Sequence, residues 1–196
     1  MKRIAQFEKI SFEEFLKACD FNENETNGLG KDFYREIYDN IKLPQRSTNG
    51  SAGYDFFMPF DCDISFGESV IIPTGIKCSI QDGWYLGLYP RSGQGFKFGI
   101  HIANTVGIID SDYYNNENNE GHIMVKITND SSINQDKPFN VKQSQAFCQG
   151  IFIQYGITID DEQNAKLIRS GGFGSTDTNQ VDNVTWDKDN PCSPAD

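Results

Sequence analysis

The sequence predicts an all-β domain, a sandwich or jelly roll, with a short helical extension ahead of it and a flexible arm behind. Three observations point there. From residue 41 onward, short β-like runs alternate with turn residues at fairly even spacing, the pattern of a sandwich or jelly roll. The first 40 or so residues instead space their apolar side chains at helical intervals. Past residue 159 the chain turns polar and ends in Asp-, Asn- and Pro-rich sequence that cannot bury a core of its own. With 37% hydrophobic letters in 196 residues, the composition is globular and the length suits one main domain.

Residues 10–19 carry the first helical pattern, with Ser11 as N-cap, Glu13 and Glu14 in the first turn, and Phe12, Phe15 and Leu16 on the apolar face. A second short helix is expected over 31–38, after a polar, glycine-punctuated loop at 22–30. Two such helices bury little alone, so the segment is expected to pack on the main domain. β-like runs follow at 53–57, 69–72, 76–80, 84–89, 99–102, 123–128 and 150–155. The resulting division is a helical extension (1–40), a β domain (41–159), an arm (160–176) and a polar, disordered tail (177–196).

Seventeen basic against 28 acidic residues leave a net charge of −11, which repels nucleic-acid backbones and anionic membranes. A small anion remains compatible, because a few arginines and a divalent cation can reverse the field within one pocket. No apolar run is long enough to span a bilayer, and the chain reads as cytoplasmic. The five cysteines are scattered without CxxC spacing, which predicts reduced, mostly buried thiols. Of the two histidines, His101 lies between Ile100 and Ile102 and is expected to pack.

Four motifs carry possible chemistry. Asp55, in Ala52-Gly53-Tyr54-Asp55, is a carboxylate inside a β-like run, a costly placement unless a cation, metal-bound water or hydrogen-bond donor meets it. Pro90-Arg91-Ser92-Gly93 joins a guanidinium fork, a hydroxyl and a glycine, and suits either a phosphate or a helix start capped by Ser92. Gly107-Ile108-Ile109-Asp110-Ser111-Asp112-Tyr113 sets two carboxylates at i and i+2, on one face of an extended strand. With the Asn/Glu-rich stretch 114–121 and the apolar run 123–127 it reads as a long β-hairpin, and Glu117 and Glu120 are expected to be merely solvated. Arg169-Ser170-Gly171-Gly172-Phe173-Gly174-Ser175-Thr176 can wrap phosphate oxygens, although it lacks the Walker lysine.

Taken in order, and with the run 147–152 around Gln149, these motifs resemble the five motifs of the trimeric deoxyuridine triphosphatases (dUTPases) over roughly residues 41–176. The resemblance implies a dUTPase-like β jelly roll, a homotrimer with shared active sites, and hydrolysis of dUTP to dUMP and pyrophosphate with Mg²⁺ as cofactor. It implies that Asp110 is the general base, and that Arg91, Ser92 and Gly93 bind the α- and β-phosphates. Asn104 and the main chain of Gly107, Ile108 and Ile109 would hold uracil, with Met124 beside them. Tyr113 would lie under the deoxyribose and exclude a 2′-hydroxyl. Asp55 and Gln149 would reach the metal through water, and Arg169, Ser175 and Thr176 would clamp the γ-phosphate while Phe173 and Gly174 close over the base. Ala146 stands where the fourth motif usually begins with arginine, and residues 114–120 lengthen the usual turn after Tyr113. Two rivals remain: a deaminase of the same fold, for which the run 123–128 offers Lys126 and no glutamate, and a non-catalytic or moonlighting jelly-roll binding protein.

Overall fold

The structure is a computed structural model and describes residues 2–20, 30–130 and 138–161. Eleven strands and three helices follow one another in it: β1 (Ala5–Lys9), α1 (Phe12–Ala18), α2 (Lys31–Asp39), β2 (Tyr54–Phe57), β3 (Cys62–Ile64), β4 (Ser69–Pro73), β5 (Ile76–Ile80), β6 (Trp84–Pro90), α3 (Ser92–Phe98), β7 (Ile100–Ile102), β8 (Gly107–Ile109), a 3₁₀ turn (Ser111–Tyr113), β9 (Met124–Asn129), β10 (Phe139–Val141) and β11 (Ala146–Gln154). All pairings are antiparallel, in sheets ordered β2-β11-β6-β8 and β4-β9-β7, with the pairs β1-β5 and β10-β3. This is the mostly β architecture that the sequence predicts.

Alternation places the core. Along β5, Ile76, Cys78 and Ile80 turn inward, and Val125 and Ile127 do so along β9. Phe56, Leu86, Leu88, Phe147 and Cys148 fill the space from the four-stranded sheet. Cys62, Cys78 and Cys148 are buried, and burial pushes the Cys78 thiol up to about 12 and Cys148 in the same direction. Such thiols are inert at neutral pH.

The amino-terminal segment is more than a helical extension. β1 pairs with β5 over five residues, from Ala5 opposite Ile80 to Lys9 opposite Ile76, and Phe7 meets Phe56 edge-on. Ile10, Phe15, Ile37 and Ile41 belong to the common core. Ser11 caps α1 as expected, its side chain accepting from Glu14 N–H.

Five expectations need correction. Residues 107–127 do not form a hairpin: β8 pairs with β6, whereas β9 pairs with β4 and β7, so the connection passes between sheets. Asp110 and Asp112 do not share a strand face, because the chain enters a 3₁₀ turn at Ser111 with Asp110 as its N-cap. Arg91, not Ser92, is the N-cap of α3, and Ser92 is its first residue. His101 is half-exposed, with Nε2 3.5 Å from Asp130, rather than packed. The predicted run 150–155 is the end of a longer strand, β11, that starts at Ala146 through an irregularity before Cys148.

Candidate active site

The expected residues fall into two groups, one around β8, which pairs with the middle of β6, and one past Pro90 at the end of β6. The first surrounds a cavity of about 290 Å³ lined by Asn104, Gly107, Ile108, Ile109, Tyr113 and Met124, together with His122 and apolar neighbours. A tight turn shapes its mouth, with Val106 N–H donating to Asn104 O at 2.7 Å and Thr105 in the left-handed region at φ 67°. β8 pairs with β6 along one edge, and its other main-chain edge meets no strand among the described residues. Ile109 points inward while Ile108 is 50% exposed.

The floor of this cavity is fixed by hydrogen bonds. The buried Tyr113 hydroxyl donates to His122 O at 2.9 Å and accepts from Asn119 Nδ2 at 2.7 Å. His122 is buried, and its Nε2 accepts from Gly75 N–H at 2.9 Å, which leaves the proton on Nδ1. Burial pushes its pKa down to about 3, outweighing the pull of Glu120 in the other direction. Asp110, one residue past β8, opens on a neighbouring depression with Tyr85, Ser111, Asp112 and Tyr155.

The second group stands beyond Pro90, the last residue of β6. Arg91 Nε donates to Asp55 Oδ1 at 3.1 Å, and Arg91 Nη1 donates to Ala146 O at 3.4 Å. Ser47 donates to the other Asp55 oxygen at 3.2 Å, so both oxygens of this carboxylate in a strand find donors. Gln94 Nε2 also donates to Ala146 O. The contacts at position 146 are made by its carbonyl, which any residue there would supply. Gln149 is the cross-strand partner of Asp55 and donates to Pro90 O at 3.1 Å. A Cβ at Gly53 would stand 2.5 Å from Gln149 Oε1, so the amide keeps its place only beside a glycine. Ser92 and Gly93 are exposed at the start of α3.

One chain therefore brings Asn104, Gly107, Ile108, Ile109, Tyr113 and Met124 together, with Asp110 beside them, and separately joins Asp55, Arg91 and Gln149. It does not join Asp110 to Arg91. Ile109 is opposite Leu86, so Asp110 and Arg91 are separated by about 20 Å of strand at roughly 3.3 Å per residue. Arg169, Phe173, Gly174, Ser175 and Thr176 lie outside the described residues.

Sequence reasoning missed Asn116, Asn119 and His122, and misjudged Glu120. Glu120 is not simply solvated: its carboxylate accepts from Ser11 N–H at 2.9 Å and from the Ser11 hydroxyl, with Lys77 3.5 Å away. Partial burial raises its pKa, but those donors outweigh it and hold the carboxyl below its usual range. The recoverable signal was Ser11 itself, a helix cap whose own N–H still needs an acceptor.

An antiparallel β scaffold with a pocket bounded by main chain and tyrosine and, apart from it, an arginine–carboxylate–amide group fits the class of all-β nucleotide-acting enzymes. The family model described as dUTPase matches residues 39–177, and the chain belongs to the dUTPase family, whose reaction is the hydrolysis of dUTP. It is 40% identical over 136 residues to the deoxyuridine 5′-triphosphate nucleotidohydrolase of Lactococcus lactis subsp. lactis, covering 69% of this chain and 88% of the relative. To the Haemophilus ducreyi enzyme of the same name it is 37% identical over 156 residues, covering 76% and 90%. Among solved structures, the dUTPase of Streptococcus mutans superposes with a TM-score of 0.57 at 33% identity, over 78% of this chain and 97% of that one. The phage phi11 dUTPase of S. aureus shares the fold, at a TM-score of 0.55 and 18% identity over 87% and 98%.

Proposed function

We propose that the chain hydrolyses dUTP to dUMP and pyrophosphate by attack of water on the α-phosphorus, in a homotrimer whose sites combine residues of different subunits. The observation that carries this reading is the cavity beside β8, where the residues expected around a pyrimidine and its sugar line one wall. Uracil pairs with the open main-chain edge of β8 and with Asn104. Cytosine offers a donor where uracil offers an acceptor, so the same edge rejects it. Tyr113 lies under the deoxyribose and fills the space that a 2′-hydroxyl would need, and Met124 packs beside the base.

Asp110 stands at the rim next to this cavity, where it orients the attacking water and accepts its proton. Arg91, Ser92 and Gly93 bind the α- and β-phosphates and stabilise the charge that builds on the leaving pyrophosphate. Because Asp110 and Arg91 sit at opposite ends of β6 in one chain, Arg91 must come from a second copy. α3, which follows Arg91, carries Phe96 at 92% and Phe98 at 40% exposure, apolar surface suited to such a contact. Arg169, Ser175 and Thr176 clamp the γ-phosphate, and Phe173 with Gly174 closes over the base, so that the reaction proceeds away from bulk water.

Asp55 and Gln149 present oxygen atoms side by side on one sheet face, a hard donor pair that fits the hydration shell of Mg²⁺. When bound, Mg²⁺ neutralises triphosphate charge. Removal of dUTP and supply of dUMP limit uracil in DNA and feed dTMP synthesis. Pyrophosphate release from dUTP, dCTP, dTTP and UTP, with Mg²⁺ and with chelator, tests the proposal. Release from dUTP alone, lost with chelator, is the expected result; no release from any of the four overturns it.

A further inference from the structure

Residues 114–121 follow Tyr113 and form a closed asparagine network around it. Asn116 Oδ1 accepts from the main-chain N–H of Asn118 at 3.1 Å and Asn119 at 3.2 Å, while its amide donates to Tyr113 O and to Asn119 Oδ1, both at 2.8 Å. Asn119 Oδ1 also takes Gly121 N–H at 3.1 Å, which aims the Asn119 amide at the Tyr113 hydroxyl, 2.7 Å away. Gly121, at φ 79°, closes the loop where a Cβ would come within 2.6 Å of Tyr113 O. The phenol is thus held at its main chain by Asn116 and at its hydroxyl by Asn119 and His122 O.

The outer side of this loop is tied to the amino-terminal segment. Ser11 donates twice to Glu120, Lys17 donates to Asn118 O at 2.9 Å, and the Tyr114 hydroxyl donates to Glu8 at 2.9 Å. Lys77 of β5 adds a bond to Asn115 Oδ1 at 2.7 Å.

We propose that this loop is a positioning device for the Tyr113 ring, with Asn119 as the positioning residue, and that the amino-terminal segment braces it, so that sugar selectivity depends on side chains that touch no substrate. The inference rests on the reading of Tyr113 as the wall under the deoxyribose. A ring held only at its main chain swings about its side-chain torsions. A 2′-hydroxyl needs the room of a single oxygen, so a small swing admits it, and the bond from Asn119 prevents that swing.

The test compares kcat/KM for dUTP and UTP in the full-length wild type, Asn119→Ala, Tyr113→Phe and their double variant. The dUTP-to-UTP ratio should fall about tenfold in each single variant, through faster UTP turnover rather than slower dUTP turnover. The double variant should fall no further than Tyr113→Phe alone, because that change already removes the bond that Asn119 gives. Asn118→Ala, which leaves the main-chain bonds in place, should keep the wild-type ratio. Glu120→Gln should shift it in the same direction by less. If Asn119→Ala does not fold, Tyr113→Phe carries the same comparison. A wild-type ratio in Tyr113→Phe, or in folded Asn119→Ala, overturns this inference and leaves dUTP hydrolysis standing. A wild-type protein that does not prefer dUTP over UTP overturns the functional reading beneath it.

Discussion

His122 shows how a single residue can tie the floor of the cavity to pH. Its ring is neutral in the fold, with a pKa pushed from 6.5 down to about 3 by burial, and its Nε2 must stay unprotonated to accept from Gly75 N–H. Between those two values the unfolded chain binds a proton that the folded chain does not. Unfolding free energy therefore rises with pH across that window: the contribution is complete above about pH 6.5 and is lost progressively as pH falls toward 3. Thermal midpoints measured from pH 3 to 7 should fall on the acid side in the wild type, and the slope should flatten in His122→Gln, whose side chain accepts a hydrogen bond without titrating. An equal slope in both proteins would assign the acid sensitivity to carboxylates instead. None of this was legible in the sequence, where His122 is one polar letter in a polar stretch. Asp55 was legible because a carboxylate set within a β-like run needs a partner, Arg91 because a guanidinium beside a hydroxyl and a glycine suits an anion, and Gln149 only through the family resemblance; the three proved to be one another's neighbours or to share them.

At the scale of elements, α1 and the loop 114–121 act on each other through Ser11 and Glu120. Ser11→Ala removes the N-cap of α1 and one of the two bonds that Ser11 gives Glu120, and should lower stability by about 1–2 kcal/mol, a drop in denaturant midpoint without a change in slope. Glu120→Ala should cost a similar amount, and the double variant less than the sum, since the two groups share one bond. Strictly additive losses would mean that helix and loop are independent. The sequence made α1, α2 and the strands β2, β4, β5, β6 and β9 readable, because each keeps its apolar period over several residues, whereas the three-residue β7 was readable only through the two isoleucines that flank His101. β1, β3 and β10 escaped it for a physical reason. Ala5–Lys9 alternates too weakly and is a strand because β5 offers an edge, while three-residue strands such as Cys62–Ile64 and Phe139–Val141 are too short to show a period. The supposed hairpin failed for another reason: adjacency in sequence suggested pairing of β8 with β9, but β8 lies along β6 and β9 between β4 and β7.

At the scale of the whole molecule, the distance along β6 becomes a statement about assembly. Asp110 and Arg91 cannot serve one α-phosphorus from within a single chain, since about 20 Å of strand separates them. If the catalytic base of one subunit works with the phosphate-binding arginine of another, two differently inactivated chains should complement each other. Asp110→Asn keeps the shape of the side chain but removes its basicity, and should abolish turnover while leaving dUTP binding nearly intact. Arg91→Ala should abolish turnover by removing the phosphate partner and freeing the Asp55 carboxylate. Each homogeneous trimer is then dead. In trimers assembled at random from equal amounts of the two, a site works when its Asp110 and its Arg91 both come from the chain that retains them, which happens in about a quarter of sites. Coexpressed or co-refolded mixtures should thus recover about a quarter of the wild-type rate per site, and separately folded proteins mixed without subunit exchange should recover none. If both groups acted from the same chain, every chain in the mixture would carry one lesion, and no mixing ratio would restore any activity.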